Sequence, residues 1–322
     1  MIFALLMCVS GTTVRAEPAT TRRYDLTLRI TEPASRPGSL VRWWLPMPQP
    51  RRAQQAELVR HDLPRCPRVM VESEFGNLLL YAETESGPAP RTWTLTWRVT
   101  RSVQTGLTGA IELEPRPFPV ALYVRPRGLV QVTGEIRAMA EDATRGLAGT
   151  PARARSLYEL VLGRMRYDKS GVGWGRGDSV FACDVRRGNC TDFHSLFMAL
   201  AISAGLPTRF NMGLPIPGAP AGDLAGYHCW AEFYEPDRGW VPVDISEAWR
   251  RKDRREFYFG ALDADRVLLS VGRDIRLAPA PASRERLNWF LDPYAEVHDR
   301  PLAGVTAHWS WHNLTQSQGG DS

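Results

Sequence analysis

The first part of the chain carries the hydrophobic pattern of β-strands. In residues 24–31 and 93–99 apolar and polar positions alternate, which is the period of a strand with one buried face. Residues 41–45 and 78–81 are shorter apolar runs, and stretches rich in Pro and Gly separate the four segments. Residues 22–125 are therefore predicted to form a small antiparallel β-sandwich domain.

The hydrophobic period changes in the second part of the chain. Residues 134–146 have apolar residues at helical spacing, and a second helical face begins after Pro151, a residue type favoured in a first turn. A third helix is predicted from residue 190 to about residue 204, and residues 227–244 read as a β-hairpin. This mixture predicts an α+β domain over residues 134–322.

The N-terminus has the features of an export signal. A short apolar run at residues 1–9 is followed by small polar residues, with Val14 and Ala16 at positions −3 and −1 of a cut after Ala16. Residues 1–16 are predicted to be a signal peptide, and the mature protein to be secreted or periplasmic. The alternatives are a buried N-terminal strand or a lipid anchor at Cys8. The run is too short to span a bilayer, so no integral membrane span is expected.

The charges are spread along the chain. The formal net charge is +5, and only two of the 40 basic residues are lysines, Lys169 and Lys252. The arginines are scattered, and the densest group lies at residues 250–255. Dispersed charge is typical of solvated surface, whereas a nucleic-acid-binding face needs a concentrated basic patch. Nucleic-acid binding is therefore not expected, and the oligomeric state is left open.

The cysteines do not form a recognisable framework. The chain has five, and removal of a leader containing Cys8 leaves Cys66, Cys183, Cys190 and Cys229. So few cysteines in a chain of 322 residues do not make a disulfide scaffold. No pair forms C-x-x-C, so neither a metal nor another cofactor is expected. A disulfide between Cys183 and Cys229 and a pair of buried thiols both remain open, and at least one cysteine needs another role.

Cys190 is predicted to lie at the start of the third helix, where Asn189 or Thr191 can cap the first turn. Unpaired N–H groups and the helix dipole favour a thiolate at that position. The same N–H groups can stabilise an oxyanion. Cys190 is therefore the candidate nucleophile, and the alternative is a small buried apolar residue.

The hairpin supplies a candidate base for this thiol. If Tyr234 pairs with Trp240, His228 lies opposite Ser246 and diagonal to Asp244 on the same face. A carboxylate there would hold the imidazole in one tautomer and stabilise its cation.

His194 and Cys229 are close in sequence to these candidates. His194 lies one turn after Cys190 on the same helix face, so it points along the helix axis, and a structural or supporting role is favoured over that of the base. Cys229 is expected to face away from His228, because side chains alternate along a strand.

Taken together, the segments GNCTDFH (188–194), YHCWAE (227–232) and GWVPVD (239–244) resemble the core of transglutaminase-like superfamily proteins. The resemblance covers about residues 157–246. It implies a papain-like α+β fold with a Cys-His-Asp triad, preceded here by the sandwich domain. The implied roles are nucleophile for Cys190, base for His228 and orienting carboxylate for Asp244. Trp174 and Asn189 are the candidates for oxyanion or substrate contacts.

These residues predict a thiol acyl-transfer enzyme that acts on a protein or peptide substrate. Water as the final acceptor would make it an amidase or peptidase, and an amine would make it a protein-glutamine transglutaminase. Hydrolysis is slightly favoured, because water needs no built acceptor site. The alternative is a non-catalytic transglutaminase-like binding module. The glycine-rich segment 171–178 lacks the Gly-Lys-Ser/Thr of a phosphate loop, so a surface loop is predicted there.

Overall fold

The structure is a computed structural model that describes residues 20–108 and 119–314. The predicted signal peptide lies outside the described residues. None of the helices within these ranges is both long and apolar enough to cross a membrane. The α-helices are α1 (Gly134–Thr144), α2 (Thr150–Arg164), α3 (Ser179–Val185), α4 (Cys190–Ser203) and α5 (Ile245–Arg250), with short 3-10 helices at Val120–Val124 and Lys252–Arg254.

Strands make up most of the remaining regular structure. In the first part they are β1 (Thr21–Glu32), β2 (Leu40–Pro46), β3 (Gln54–His61), β4 (Arg68–Val71), β5 (Leu78–Glu85), β6 (Arg91–Ser102) and β7 (Gln104–Thr105). In the middle they are β8 (Arg166–Tyr167), β9 (Arg187–Gly188), β10 (Thr208–Pro215), β11 (Ala221–Leu224), β12 (His228–Glu235) and β13 (Gly239–Val243). At the end they are β14 (Ala261–Leu262), β15 (Arg266–Val271), β16 (Ile275–Arg276), β17 (Arg286–Leu287), β18 (Tyr294–Val297), β19 (Arg300–Pro301) and β20 (Thr306–Asn313).

Two five-stranded antiparallel sheets form a sandwich. One has the order β11-β20-β1-β6-β3 and the other β19-β18-β2-β5-β4. Alternate residues of the facing strands are buried in one apolar core, as Leu26, Leu28, Trp43 and Trp97 illustrate. The sandwich is thus built by the period-two pattern of the sequence, which puts one face of each strand into the core.

The last strands of the chain belong to this sandwich. β18 pairs with β2, and β20 pairs with both β1 and β11. The sequence assigns residues 134–322 to the second domain, so the predicted boundaries do not match the sheets at the C-terminal end. β18 and β20 do not pair with each other, although they are consecutive long strands at the end of the described chain. Strand periodicity identifies a buried face, but it does not identify the strand that will pair with it.

The second part is a helix-and-sheet layer built around α4. The antiparallel sheet β13-β12-β10-β15 packs against this helix. Every residue of α4 from Cys190 to Ile202 is buried, and α1, α2, α3 and α5 surround it. A helix that is apolar on most sides is suited to such a central position. The chain therefore has the predicted α+β fold with antiparallel sheets.

The register of the hairpin agrees with the prediction from the sequence, but the residue at which its second strand ends does not. Tyr234 pairs with Trp240 across β12 and β13. β13 ends at Val243, and Asp244 becomes the N-cap of α5 by accepting a hydrogen bond from the backbone N–H of Glu247. Ser246 is therefore a residue of α5 and does not lie opposite His228. An Asp whose side chain can cap a helix start favours this turn over a continued strand.

Candidate active site

Cys190 is the first residue of α4, held by hydrogen bonds on both sides. The Asn189 side chain accepts from Thr191 N at 3.0 Å. Asn189 and Asp192 also form a capping box, in which the Asp192 carboxylate accepts from Asn189 N at 2.9 Å. Only 2% of the surface of Cys190 is exposed. The thiol is thus fixed where helix N–H groups favour its ionised form.

The glycine-rich segment is tied to this helix start. Asp192 also accepts from Gly175 N at 2.7 Å and from Gly177 N at 3.2 Å. The buried guanidinium of Arg273 donates to the Gly177 carbonyl at 3.0 Å and to Ser195 Oγ at 2.7 Å. The segment therefore forms part of the surroundings of Cys190.

His228 and Asp244 meet directly. His228 Nε2 lies 2.6 Å from Asp244 Oδ2, and the Asp244 side chain is fully buried. Asp244 also accepts from Ser246 Oγ at 3.0 Å and forms an ion pair with Arg266. Because the carboxylate is held by several donors, it can fix the orientation of the imidazole.

The three residues shift one another's pKa values toward the charged forms. Burial opposes the imidazolium, but the charge and hydrogen bond of Asp244 outweigh it and raise the pKa of His228 to about 10. The neighbouring Cys229 thiol, together with His228, lowers the pKa of Cys190 well below that of an ordinary thiol despite its burial. Burial also opposes the charge of Asp244, yet His228 and Arg266 hold its pKa well below the usual range. The favoured state is a thiolate beside an imidazolium.

His194 connects α4 to the start of α5. Its Nε2 accepts from Ile245 N at 3.0 Å, and its Nδ1 lies 3.5 Å from Cys229 Sγ. Burial lowers the pKa of His194 to about 4, so the ring is neutral at ordinary pH. Cys229, expected to face away from His228, instead joins it in shifting the pKa of Cys190.

Among the residues that the structure describes, Cys66, Cys183 and Cys229 are free thiols, as is Cys190. The predicted alternative of a disulfide between Cys183 and Cys229 is not formed, and Cys183 Sγ lies 3.9 Å from Met139 Sδ. In the part of the chain that the structure describes, Glu135, Cys183 and Asp184 place ligand atoms within 4.8 Å of one another and could hold a metal ion. This group lies on α1 and α3 and contains none of the predicted catalytic residues.

Trp174 and Asn189 both lie near the start of α4 with their polar groups engaged. The Trp174 indole N–H donates to the Gly171 carbonyl at 3.2 Å, within its own loop. Asn189 Nδ2 donates to the Tyr227 hydroxyl at 2.8 Å. The Trp174 indole N–H is thus engaged within its own loop, and the substrate contacts of both residues stay predictions.

Two residues of the site, Arg266 and Tyr227, are not among the site residues predicted from the sequence. Arg266 is 3% exposed and donates to both Asp244 and Asp263. Tyr227 donates its hydroxyl proton to the Gly175 carbonyl at 3.2 Å and so links the loop to the hairpin. Arg266 reads in the sequence as the polar start of an apolar strand, and only the packing of β15 beside β10 brings it to Asp244.

A cleft opens beside His228. Its volume is about 400 Å³, and its lining includes Tyr167, Lys169, Tyr227, Arg250 and Arg251. This volume lies within the range of about 300–1,000 Å³ that is typical of ligand sites. A substrate bound there would lie against the imidazole that faces Cys190.

Comparison with known proteins agrees with this architecture. Residues 137–245 match the family model of the core of the transglutaminase-like superfamily. A protein of Haemophilus influenzae, named only as uncharacterized, is 26% identical over 323 residues, covering 88% of this chain and 86% of the relative.

Solved structures provide a comparison of the fold. The crystal structure of a protein from Cytophaga hutchinsonii named "Putative Cysteine Protease" superimposes with a TM-score of 0.57 at 14% identity, covering 92% of each chain. The periplasmic domain of TgpA from Pseudomonas aeruginosa has a TM-score of 0.38 at 18% identity, covering 75% of this chain and 74% of that one. The first of these two shows a common fold over most of the chain. Residues 137–245 match the core of the transglutaminase-like superfamily, and this segment includes Cys190, His228 and Asp244.

Proposed function

We propose that the protein is a thiol acyl-transfer enzyme that acts on peptide or glutamine-type carboxamide bonds. Cys190 is the nucleophile, His228 the base and Asp244 the residue that orients the base. The observation that carries the proposal is the 2.6 Å contact between His228 and the buried Asp244, beside a thiol at a helix start. A non-catalytic protein would have little use for a buried carboxylate and imidazole placed to ionise a cysteine.

The reaction would proceed in two stages. The Cys190 thiolate attacks the carbonyl carbon, and the backbone N–H groups at the start of α4 stabilise the oxyanion. The C–N bond then breaks, and the imidazolium of His228 gives its proton to the leaving nitrogen, which departs as ammonia or an amine. In the second stage, water or an amine attacks the thioester, His228 accepts its proton, and the C–S bond breaks to restore the thiolate.

The surroundings of the site support water as the final acceptor. The cleft beside His228 is lined by charged side chains, among them Lys169, Arg250 and Arg251. A polar cleft of this kind would admit water to an acyl-enzyme. We assign amidase or peptidase activity ahead of protein cross-linking.

Labelling with an iodoacetamide probe tests the nucleophile. Cys66 is exposed, whereas Cys190 is 2% exposed, so accessibility alone would favour Cys66. We expect mass spectrometry after limited alkylation to find Cys190 modified first, because it is the ionised thiol. Preferential modification of Cys66 would contradict the assignment.

Turnover distinguishes an enzyme from a binding module. Glutamine-containing peptides are incubated with the protein and with its Cys190→Ala variant, with and without an added amine. Release of ammonia or of a cleaved peptide by the wild-type protein alone supports hydrolysis, and incorporation of the amine supports transfer. Peptide binding with no turnover in any arm favours the non-catalytic binding module.

We also propose that the protein is exported and acts outside the cytoplasm. The support is the short apolar run and the small-residue site that ends at Ala16. N-terminal sequencing of the protein from its native host is expected to begin after Ala16. An intact Met1 in a cytoplasmic fraction would refute export.

A further inference from the structure

The cleft beside His228 carries an excess of uncompensated positive charge. Its lining includes both acidic and basic residues, but each of the acidic ones is held by an arginine. These ion pairs are Glu247 with Arg250 at 2.8 Å, Asp263 with Arg266 at 2.9 Å, and Asp265 with Arg22 at 2.8 Å. The acids therefore leave little negative charge to offset other cations in the cleft.

Lys169 is the most distinctive of those cations. Among the residues that the structure describes, no acidic group forms an ion pair with it, and its contacts are with aromatic faces. Its Nζ lies 5.9 Å from the centre of the Tyr167 ring and 5.8 Å from that of Trp174. Arg250 lies over the same Tyr167 ring at 5.4 Å, so two cations contact one aromatic ring.

Arg251 extends the basic side of the cleft. Its nearest acidic partner is Asp253 at 3.5 Å, and the carboxylate of that residue is 63% exposed. An exposed pair of this kind is weakened by solvent and leaves the guanidinium able to bind another anion. Lys169 and Arg251 thus form a pair of available cations at a cleft that His228 also lines.

We infer that this cleft binds a carboxylate of the substrate through Lys169 and Arg251, so that the protein selects acidic peptides. The inference rests on the proposed function, because it names the substrate class of the same site. Carboxylates are the common anionic groups of a peptide, whether on Asp, Glu or a chain end. A cationic cleft also disfavours a protonated amine as acceptor, which agrees with water as the acceptor.

Alkylation with two reagents of different charge tests the cleft without any substrate. Iodoacetate is an anion and iodoacetamide is neutral, and both modify Cys190. In Lys169→Met we expect the rate with iodoacetate to fall roughly fivefold and the rate with iodoacetamide to stay unchanged. The matched control is Lys252→Met, since Lys252 is the only other lysine and does not line the cleft. It should change neither rate.

The outcomes separate the two proposals. If neither reagent modifies Cys190 ahead of Cys66, the proposed nucleophile is wrong. If Cys190 reacts first but the ratio of the two rates is the same in Lys169→Met and in the wild-type protein, the nucleophile stands and the carboxylate site is refuted.

Peptide binding identifies the preferred charge directly. Fluorescent peptides that differ only in a Glu, Gln or Lys beside the reacting glutamine are titrated into the Cys190→Ala variant. We expect the Glu peptide to bind most tightly and the Lys peptide most weakly, with a preference that shrinks as salt is added. When Lys169→Met is combined with Cys190→Ala, the three peptides should bind with similar affinity. When Lys252→Met is combined with Cys190→Ala instead, the preference for the Glu peptide should remain. An unchanged order in the Lys169→Met background would overturn the inference, and if no peptide binds, the alkylation ratio decides.

Discussion

His228 Nε2 lies 2.6 Å from Asp244 Oδ2, although the two residues belong to different kinds of structure. His228 begins the strand β12, whereas Asp244 caps the helix α5. One carboxylate therefore caps a helix, orients an imidazole and pairs with Arg266. A substitution of any of these partners is therefore expected to alter the reactivity of Cys190.

Replacing His228 by alanine should make Cys190 a poorer thiolate. The imidazolium helps to lower the pKa of Cys190, so its loss raises that pKa and slows alkylation below neutral pH. Loss of a general base typically costs a factor of about 10²–10⁴ in rate. The measurement is the rate of alkylation against pH, together with turnover.

The control for this change is His194→Ala. His194 is neutral and bonded to the backbone of α5, so its loss should lower the melting temperature and leave the pH profile of Cys190 similar. The roles of the two histidines would be reversed if His194→Ala removed the low-pH reactivity and His228→Ala kept it.

The wild-type protein should keep a reactive Cys190 over a broad range of pH. The pKa of Cys190 is lowered, and that of His228 is raised to about 10. The thiolate–imidazolium pair therefore forms above the pKa of Cys190 and is lost as the pH rises through about 10. We expect an alkylation rate that is nearly constant between these limits. A single rise with a midpoint near 8.5, as for an ordinary thiol, would show that no such pair exists.

Asp244→Asn should lower activity through the orientation of the imidazole. An amide nitrogen facing His228 would donate where the carboxylate accepts, which favours the wrong tautomer, and comparable changes cost up to about 10⁴ in rate. The pKa of His228 should fall, since the charge of Asp244 raises it. Kinetics and titration of the His228 ring by NMR provide the measurements. Full activity with an unchanged His228 pKa would exclude the orienting role.

Arg266→Ala should destabilise the fold. Arg266 is 3% exposed and pairs with the buried carboxylates of Asp244 and Asp263, so its loss leaves two negative charges close together. Removing one partner from a buried pair typically costs about 3–5 kcal/mol of unfolding free energy. The loss of unfolding free energy is measured by urea unfolding. The matched control is Arg145→Ala, which breaks an exposed pair with Asp142 and should have little effect. If both variants lower the free energy of unfolding equally, the buried ion pair contributes no more to stability than the exposed one.

Gly188→Ala should disturb the start of α4. Gly188 has φ +154°, and an added Cβ would lie 2.2 Å from Asp192 Oδ2. Asp192 cannot move freely, because its carboxylate holds the N–H groups of Gly175, Gly177 and Asn189. We expect lower stability and slower alkylation of Cys190.

The control is Gly163→Ala near the end of α2, where an added Cβ has no neighbour within 4 Å. Alanine is the better helix former, so this change should be neutral or slightly stabilising. A variant Gly188→Ala with wild-type stability and reactivity would show that the start of α4 tolerates displacement of Asp192.

Local patterns in the sequence are sufficient to predict several helices and strands and the hairpin register. Apolar spacing and a capping Asn189 are local features, so they place Cys190 at the start of α4 without reference to the rest of the fold. The register of the hairpin, with Tyr234 opposite Trp240, follows from turn residues a few positions apart. Matching of short segments to a known family then identifies the core.

The pairing of distant elements is visible only in the folded chain. Trp309 and Trp311 mark one face of β20, but their pattern does not reveal that this strand pairs with β1 at the other end of the chain. Arg266 and Cys229 likewise reach the site through packing between strands and α4. Periodicity specifies that a face is buried, whereas its partner depends on how the layers pack across long sequence separations, and no local pattern encodes that choice.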